Sequence, residues 1–240
     1  ALPNKLTGFQ DVEDNEVRAK FEAAWDCTIP STNGWNLTQM FEAMGRGEIK
    51  AIYCIGENPV DSEADATHAR AMLEGLDTLV VQDVFMTRTA ELADVVFPAA
   101  LGWAESDGTA TNSERRVQRV RAAVPPPGQA RQEVDIINDL AAAMGDDDWG
   151  QPTPEELWDE LRTVSPMHGG MSWARLEAEG GIQWPCPTED HPGSQFLHGR
   201  LWERPVQGRP APFSCVEDRP PLDVLTDEFP LRLTTVRALD

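Results

Sequence analysis

The chain has 240 residues, 41 of them acidic and 20 basic, which gives a formal net charge of -21 and an isoelectric point near 4.4. Such a surface excludes nucleic acid as a partner, because phosphate backbones recruit basic patches. A hydrophobic share of 40% is enough to build the core of one large or two small domains, and this excludes a disordered chain.

No window reaches the roughly 20 consecutive apolar residues of a membrane-spanning helix. The opening residues, Ala1 to Glu16, lack the basic-then-apolar order of a secretion signal, so the chain reads as soluble and cytoplasmic, without membrane insertion. Cys27, Cys54, Cys186 and Cys215 contain no C-x-x-C pair, and the histidines no H-E-x-x-H pattern. Local spacing therefore builds no zinc site and no iron–sulfur cluster, and the cysteines are expected as buried free thiols. Three lysines stand against seventeen arginines. An acidic surface adapted to high salt and an arginine-favouring codon composition both account for that imbalance.

Residues 1–48 hold two amphipathic stretches and read as a helical lead-in. Asn36 is placed to cap a helix in which Leu37, Met40, Phe41 and Met44 recur at i, i+3, i+4 and i+7, and Gly45 and Gly47 end it. From Ile49 the pattern changes to short β-rich runs, AIYCI at 51–55, TLVVQD at 78–83, ADVVFPA at 93–99 and RRVQRV at 115–120. Helical faces fall between and after them, one with Ala69, Met72, Leu73 and Leu76, the other with Val134, Ile137, Leu140, Ala141 and Met144. This alternation predicts an α/β domain over 49–150 with a parallel sheet buried on both faces. Thr153, Pro154 and Glu156 then spell a capping box for a helix carrying Leu157, Trp158 and Leu161. Residues 165–221 are rich in glycine, proline and tryptophan. They read as loop with short strands, in an extension over 151–225 that packs on something outside itself. The run FPLRLTTVRALD, 229–240, reads as the first strand of a further domain that starts near residue 226 and is cut off at Asp240.

The candidate chemistry gathers at the carboxyl ends of the strands, where open parallel sheets bind ligands. Those ends read Gly56, Glu57, Asn58 and Pro59 after the first run and Gln82 and Asp83 after the second. A glycine turn lets backbone N–H groups approach a phosphate, and a helix starting near Ser62 adds its positive end, but the same residues also serve an ordinary turn. Asp83 has two readings: its carboxylate matches the paired N1–H and N2–H donors of guanine, and it equally caps the turn that follows. Residues 103–119 are dense in small polar groups and read as a wrapping loop. Arg115, Arg116, Arg119, Arg121 and Arg131 fall in a stretch with no acid. They suit a pyrophosphate, an acidic partner, or pairing with the chain's own surplus carboxylates. G-x-S-x-G and G-x-x-x-x-G-K-[ST] motifs do not occur in the sequence.

The succession AIYCIGENPVDSEAD, TLVVQDVFMTRTAELADVVFPAA, ESDGTATNSERRVQRV and VDIINDLAAAMG resembles the second half of the molybdopterin oxidoreductases. Within them, FEAAW, SPMHGGMSWARLEAEGGIQWPCP and PLRLTTVR are most similar to formate dehydrogenase catalytic (alpha) subunits. The resemblance implies an α/β, Rossmann-like parallel-sheet domain that binds a molybdopterin guanine dinucleotide, then a loop-rich extension and the first strand of a C-terminal β-barrel. It implies a bis(molybdopterin guanine dinucleotide) centre with molybdenum or tungsten in the full subunit, and a 4Fe-4S cluster in an N-terminal part outside this chain. The implied partners are the other domains of the subunit, iron–sulfur electron-transfer subunits, and formate as substrate. The metal-ligating and active-site residues belong to sequence upstream of Ala1, so the chain alone is expected to be inactive. Carried over residue by residue, Gly56, Glu57, Asn58 and Pro59 match the phosphate-side loop, and Gln82, Asp83 and Thr87 match the guanine-recognition turn. Asn112 and Asp135 match less distinctive positions, and Ala110 replaces a bulkier residue of a GTFTN-like loop. An assimilatory nitrate reductase resembles the same words, and a non-catalytic nucleotide-binding or interaction module is the alternative from another class.

Overall fold

Capping side chains fix where several of the helices begin. A short antiparallel pair, β1 (Lys5–Leu6) with β2 (Gln10–Asp11), comes first. The Asp14 carboxylate then accepts the Glu16 and Val17 N–H groups and starts α1 (Asn15–Trp25). α2 (Leu37–Gly45) opens on the cap expected at Asn36, whose side chain accepts the Gln39 N–H while Gln39 accepts the Asn36 N–H. The computed structural model describes residues 2–146, 149–197, 215–219 and 224–233. The chain divides into two units, Ala1–Leu197 and His198–Asp240. In the second unit the described residues form neither helix nor strand. They include the first five residues of the strand expected over 229–240, and 234–240 lie outside the described residues.

The parallel sheet follows. β3 (Ala51–Ile55) leads through α3 (Pro59–Ser62) and α4 (Ala66–Glu74) to β4 (Thr78–Asp83), and a 3-10 turn at Ala90–Leu92 leads to β5 (Val95–Pro98). The strands lie in the order β3-β4-β5 and are parallel, with Tyr53 opposite Val80 and Val80 opposite Val95. Both connections pack on the same face, α3 and α4 through Val60, Ala69 and Leu73 and the 3-10 turn through Ala90. Leu79 and Val81 accordingly pack there with Phe41, Val60, Ala69 and Leu73. The second face is only partly covered: Gln82 is buried there, and Tyr53, Val80 and Phe97 are half-buried. The same face carries Ile55 at 46% exposure and Val95 at 43%.

The run RRVQRV is not part of that layer. β6 (Gly108–Thr111), β7 (Arg116–Val120) and, much later, β8 (Ile182–Gln183) form a separate antiparallel sheet. Its alternation of Arg or Gln with Val is the mark of a half-buried antiparallel strand, with Val117 turned into the core. Between β7 and β8 the chain forms α5 (Glu133–Ala143), α6 (Pro154–Val164) and α7 (Trp173–Glu179). α6 begins on the Thr153–Glu156 capping box. α7 is the one helix in a stretch that is otherwise loop and a short strand among the described residues from 165 to 197, and Met171, Leu176, Ile182 and Cys186 close a core on Trp158 and Val117. The segment therefore packs on its own neighbours. The cysteines differ among themselves, with Cys186 buried, Cys54 half-buried, and Cys27 and Cys215 exposed.

His168 sits half-buried at the edge of that core, its ring centroid 5.8 Å from Trp158 and 6.4 Å from Trp184, with Nδ1 2.7 Å from the Ser165 hydroxyl. Burial holds its pKa below the ordinary value, so the folded chain binds this proton less readily than the unfolded one. The resulting stability is present above the unfolded pKa of about 6.5 and is lost as the pH falls through it. Urea midpoints measured from pH 7.5 to 5.0 are expected to fall more steeply for the native chain than for His168→Phe. Parallel slopes would contradict this assignment.

Candidate functional site at the carboxyl edge of the parallel sheet

The turn after β3 is built by glycine and then pinned by asparagine. Gly56 adopts φ +63°, and its N–H donates to the Gln82 carbonyl at 2.8 Å, which holds the turn against the end of β4. Nothing lies within 4 Å of the point where a Cβ would stand, so the space beside the turn is open. The N–H groups of Glu57 and Asn58 have no partner among the described residues. Asn58 Oδ1 accepts the Thr89 hydroxyl at 2.8 Å and the Thr89 N–H at 3.3 Å, and Thr89 Oγ1 accepts the Val60 N–H at 3.2 Å. Asn58 Nδ2 donates to Asp61, which also holds the Arg88 guanidinium at 3.0 Å. Pro59 starts α3. Thr89, fully buried, is the clamp that the sequence reading missed; that reading named its neighbour Thr87, whose hydroxyl accepts the Ala90 N–H at 3.1 Å.

Asp83 ends β4. Its Oδ1 accepts the Phe85 N–H at 3.0 Å, which is the turn-capping reading, and Oδ2 has no hydrogen-bond partner among the described residues. Beyond it Val84, Phe85 and Met86 project their apolar side chains into solvent. Burial first, and then the Glu57 carboxylate, raise the pKa of Cys54, so the thiol beside this edge stays protonated. Strand alternation separates Asp83 from Gln82: Asp83 follows Leu79 and Val81 on the helix-covered face, while Gln82 shares the other face with Tyr53 and Phe97. Gln82 is 1% exposed; its Oε1 accepts the Tyr53 hydroxyl, and its Nε2 has no partner among the described residues.

The remaining candidates fall in two places. The Ala99 N–H donates to the Asp83 carbonyl at 3.1 Å, and Ala99 forms a parallel bridge with Arg131, which extends the carboxyl edge toward α5. Asp135 lies exposed in the first turn of α5, four residues beyond that bridge. Asn112 belongs to the antiparallel sheet instead. Its Oδ1 accepts the Glu114 and Arg116 N–H groups and shapes the β6–β7 turn. All five arginines of the basic stretch have partners within the chain. Arg115 holds the carbonyls of Trp184, Ser194 and Gln195, Arg116 that of Gly181, and Arg119 that of Gly108. Arg121 pairs with Glu177, and Arg131 with Asp139 at 2.7 Å.

Open parallel α/β sheets bind ligands beyond the carboxyl ends of their strands, which is where the Gly56 turn and Asp83 stand. The family model for molybdopterin oxidoreductases matches residues 8–143, and the chain belongs to that family. It is 42% identical, over its whole length, to the F420-dependent formate dehydrogenase subunit alpha of Methanocaldococcus jannaschii, and covers 35% of that protein. It is 35% identical over 98% of its length to the assimilatory nitrate reductase catalytic subunit of Bacillus subtilis, covering 34% of it. Acetylene hydratase from Pelobacter acetylenicus shares the fold with a TM-score of 0.50 and 26% identity, over 70% of this chain and 23% of that one. The chain thus spans about a third of the length of the curated relatives it matches. Among the described residues, no helix is long and apolar enough to cross a membrane.

The family implies a molybdopterin cofactor carrying molybdenum or tungsten. The edge offers groups that suit a phosphate-bearing cofactor of this kind: N–H groups at Glu57 and Asn58 without a partner among the described residues, open space beside Gly56, and Asp83 Oδ2 without one. Among the described residues, no cluster of three or more His, Cys, Asp or Glu side chains is placed to hold a metal ion.

Proposed function

We propose that this chain is part of the catalytic subunit of a molybdenum- or tungsten-dependent formate dehydrogenase and binds the guanine end of its molybdopterin guanine dinucleotide. The observation that carries the reading is the 42% identity, over the full chain, to a formate dehydrogenase alpha subunit. When bound, the cofactor supplies the two-electron chemistry that converts formate to carbon dioxide, and electrons leave through a 4Fe-4S cluster and iron–sulfur subunits. The chain's own part is binding and orientation. Glu57 and Asn58 N–H groups meet a phosphate, with Arg88 a guanidinium at the same turn, and the Asn58–Thr89 clamp keeps that turn rigid. Asp83 accepts the paired N–H donors that guanine alone among the common bases presents. The residues that hold the metal and act on formate belong to the rest of the subunit, so the chain alone is inactive.

Two measurements test this reading. In the complete subunit, Asp83→Ala is expected to weaken guanine dinucleotide retention by about 2 kcal/mol, roughly 30-fold, because two donors lose their acceptor. Folding is expected to be affected less, since within the chain the Asp83 side chain makes one hydrogen bond among the described residues, from the Phe85 N–H. Equal guanine and metal content in mutant and native subunits would remove Asp83 from the site. The second reading, a nitrate reductase, is favoured by the 35% identity to the Bacillus subtilis catalytic subunit. Assays of the purified subunit with formate and with nitrate separate the two.

A further inference from the structure

The surplus of acid lies in the open. The chain holds 41 acidic against 20 basic residues, and among the described residues none of the acids is buried. An arginine-favouring codon composition exchanges lysine for arginine at constant charge, so it accounts for the arginines and leaves the two-to-one excess of acid without a cause. The cations are largely spent elsewhere. Arg18, Arg115, Arg116, Arg119, Arg162 and Arg175 each donate to a main-chain carbonyl, a use that suits the planar guanidinium fork better than a point-charge ammonium. Placed there, they tie segments of the chain together. Where one of them also meets a carboxylate, as Arg175 meets Glu179, a single guanidinium answers a single acid and the surplus remains.

The helix ends show the imbalance most plainly. A last helical turn carries partial negative charge and is stabilised by a base. α1, α4, α5 and α7 have no base in that turn; Glu22 stands in it in α1, Glu74 in α4, Glu177 and Glu179 in α7, and Asp146 lies just beyond α5. α1 is the extreme. Asp26 is its C-terminal cap, and α6 adds Glu160, whose carboxylate accepts the Trp25 Nε1–H at 2.7 Å. Asp26, Asp146 and Glu160 have no ionic partner among the described residues. In dilute salt such charges act on one another and on the helix ends over about 10 Å, whereas near 1 M salt their reach is about 3 Å.

We propose that the fold of this chain is salt-dependent by construction: monovalent cations at roughly molar concentration, held diffusely and not at a site, screen its carboxylate surface and relieve a self-repulsion that its own bases do not offset. Dilute salt then favours opening, first at the helix ends that lack a base. The proposal stands apart from the cofactor reading, because none of Asp26, Asp146 and Glu160 belongs to the Gly56 turn or to β4.

The test is thermal unfolding of the 240-residue chain followed by tryptophan fluorescence. The melting midpoint is expected to rise by about 10 °C or more between about 0.1 M and about 1 M KCl, the range over which the screening length falls roughly threefold. Sorbitol at matched osmolality is expected to give less than half of that rise, and millimolar magnesium chloride none of it. The variant Asp26→Asn/Asp146→Asn/Glu160→Gln is expected to melt above the native chain in dilute KCl and level with it near 1 M, since both amides keep an oxygen to accept with while losing the charge. A midpoint that does not move with KCl overturns the proposal. A full rise in sorbitol assigns the effect to solvent exclusion, and a full rise in millimolar magnesium to a bound divalent ion; each overturns diffuse screening. A gap between variant and native chain that is the same at both salt concentrations overturns the repulsion at the helix ends. If the variant does not fold, the KCl, sorbitol and magnesium series carry the test.

Discussion

Gly170→Ala is expected to destabilise the core around Trp158 by more than about 3 kcal/mol, at or beyond the upper end of ordinary overpacking. A Cβ on Gly170 would stand 1.9 Å from the Thr188 carbonyl oxygen and 2.3 Å from its carbon. The obstacle is backbone, so no rotamer change relieves it. Nor is the backbone free to withdraw. The Gly170 N–H donates to the Cys186 carbonyl at 2.8 Å, and the Gly170 carbonyl accepts the Arg175 guanidinium at 2.8 Å. Both strands of the contact are thereby tied to residues of the same core, in which Cys186 is fully buried. Gly102→Ala is the control, since its Cβ would meet nothing within 4 Å and its φ is not in the left-handed region. Urea denaturation followed by tryptophan fluorescence is the measurement. A Gly170→Ala midpoint equal to that of Gly102→Ala would mean that the 170–188 contact is absent from the folded chain.

That contact was invisible in the sequence, for a physical reason. Gly169 and Gly170 stand in a glycine- and proline-rich stretch whose composition predicts loop, and close approach of two backbones leaves no periodic mark. The helices were more legible, because their signals are local. Asn36 with Gln39 and Thr153 with Glu156 are each three residues apart, and both pairs form the expected reciprocal caps. The strands β3, β4 and β5 were legible as strands from their apolar runs. What covers them was not. An apolar run says that a strand can be buried on both faces, whereas the crossovers decide which face this chain covers. RRVQRV shows the converse, since its alternation marks a half-buried antiparallel strand although it follows three parallel strands in the chain.

The candidate site divides along the same line. Gly56, Asn58 and Asp83 lie where a parallel sheet displays its strand ends, and topology brings them to one edge through the Gly56–Gln82 and Asn58–Thr89 hydrogen bonds. Gln82 and Asp83 both end β4 and both match the guanine-recognition turn of the family resembled, yet neighbours in a strand face opposite ways, and the Tyr53 hydroxyl holds Gln82 on the far face. The basic stretch from Arg115 to Arg131 carried no information about its partners, because these lie up to 80 residues away in sequence. In the structure these arginines pair within the chain, with the carbonyls of residues 181–195 and with the carboxylates of Glu114, Glu177 and Asp139.

Arg115 is the extreme case, and substituting it separates side-chain from backbone effects. Its guanidinium donates to the carbonyls of Trp184, Ser194 and Gln195 and lies 5.3 Å from the centroid of the Trp184 ring, while its own carbonyl accepts the Trp184 N–H at 3.0 Å. Hydrogen bonds from a charged donor contribute about 1.5–3 kcal/mol each when measured singly, and they do not add when shared by one group, so Arg115→Ala is expected to cost about 3 kcal/mol. Arg115→Lys is expected to recover less than half of that, because a point-charge ammonium cannot span three carbonyls as a planar fork does. The backbone adds a separate term, since Arg115 holds φ +67°. A side chain in that region costs about 1 kcal/mol that glycine does not incur. Arg115→Gly, which removes the same contacts, is therefore expected to be about 1 kcal/mol more stable than Arg115→Ala. Denaturant midpoints of the three variants, with protease cleavage mapped over residues 184–195, read both effects. Equal midpoints for alanine and glycine would deny the left-handed strain, and a lysine variant as stable as the native chain would deny the three-carbonyl clasp.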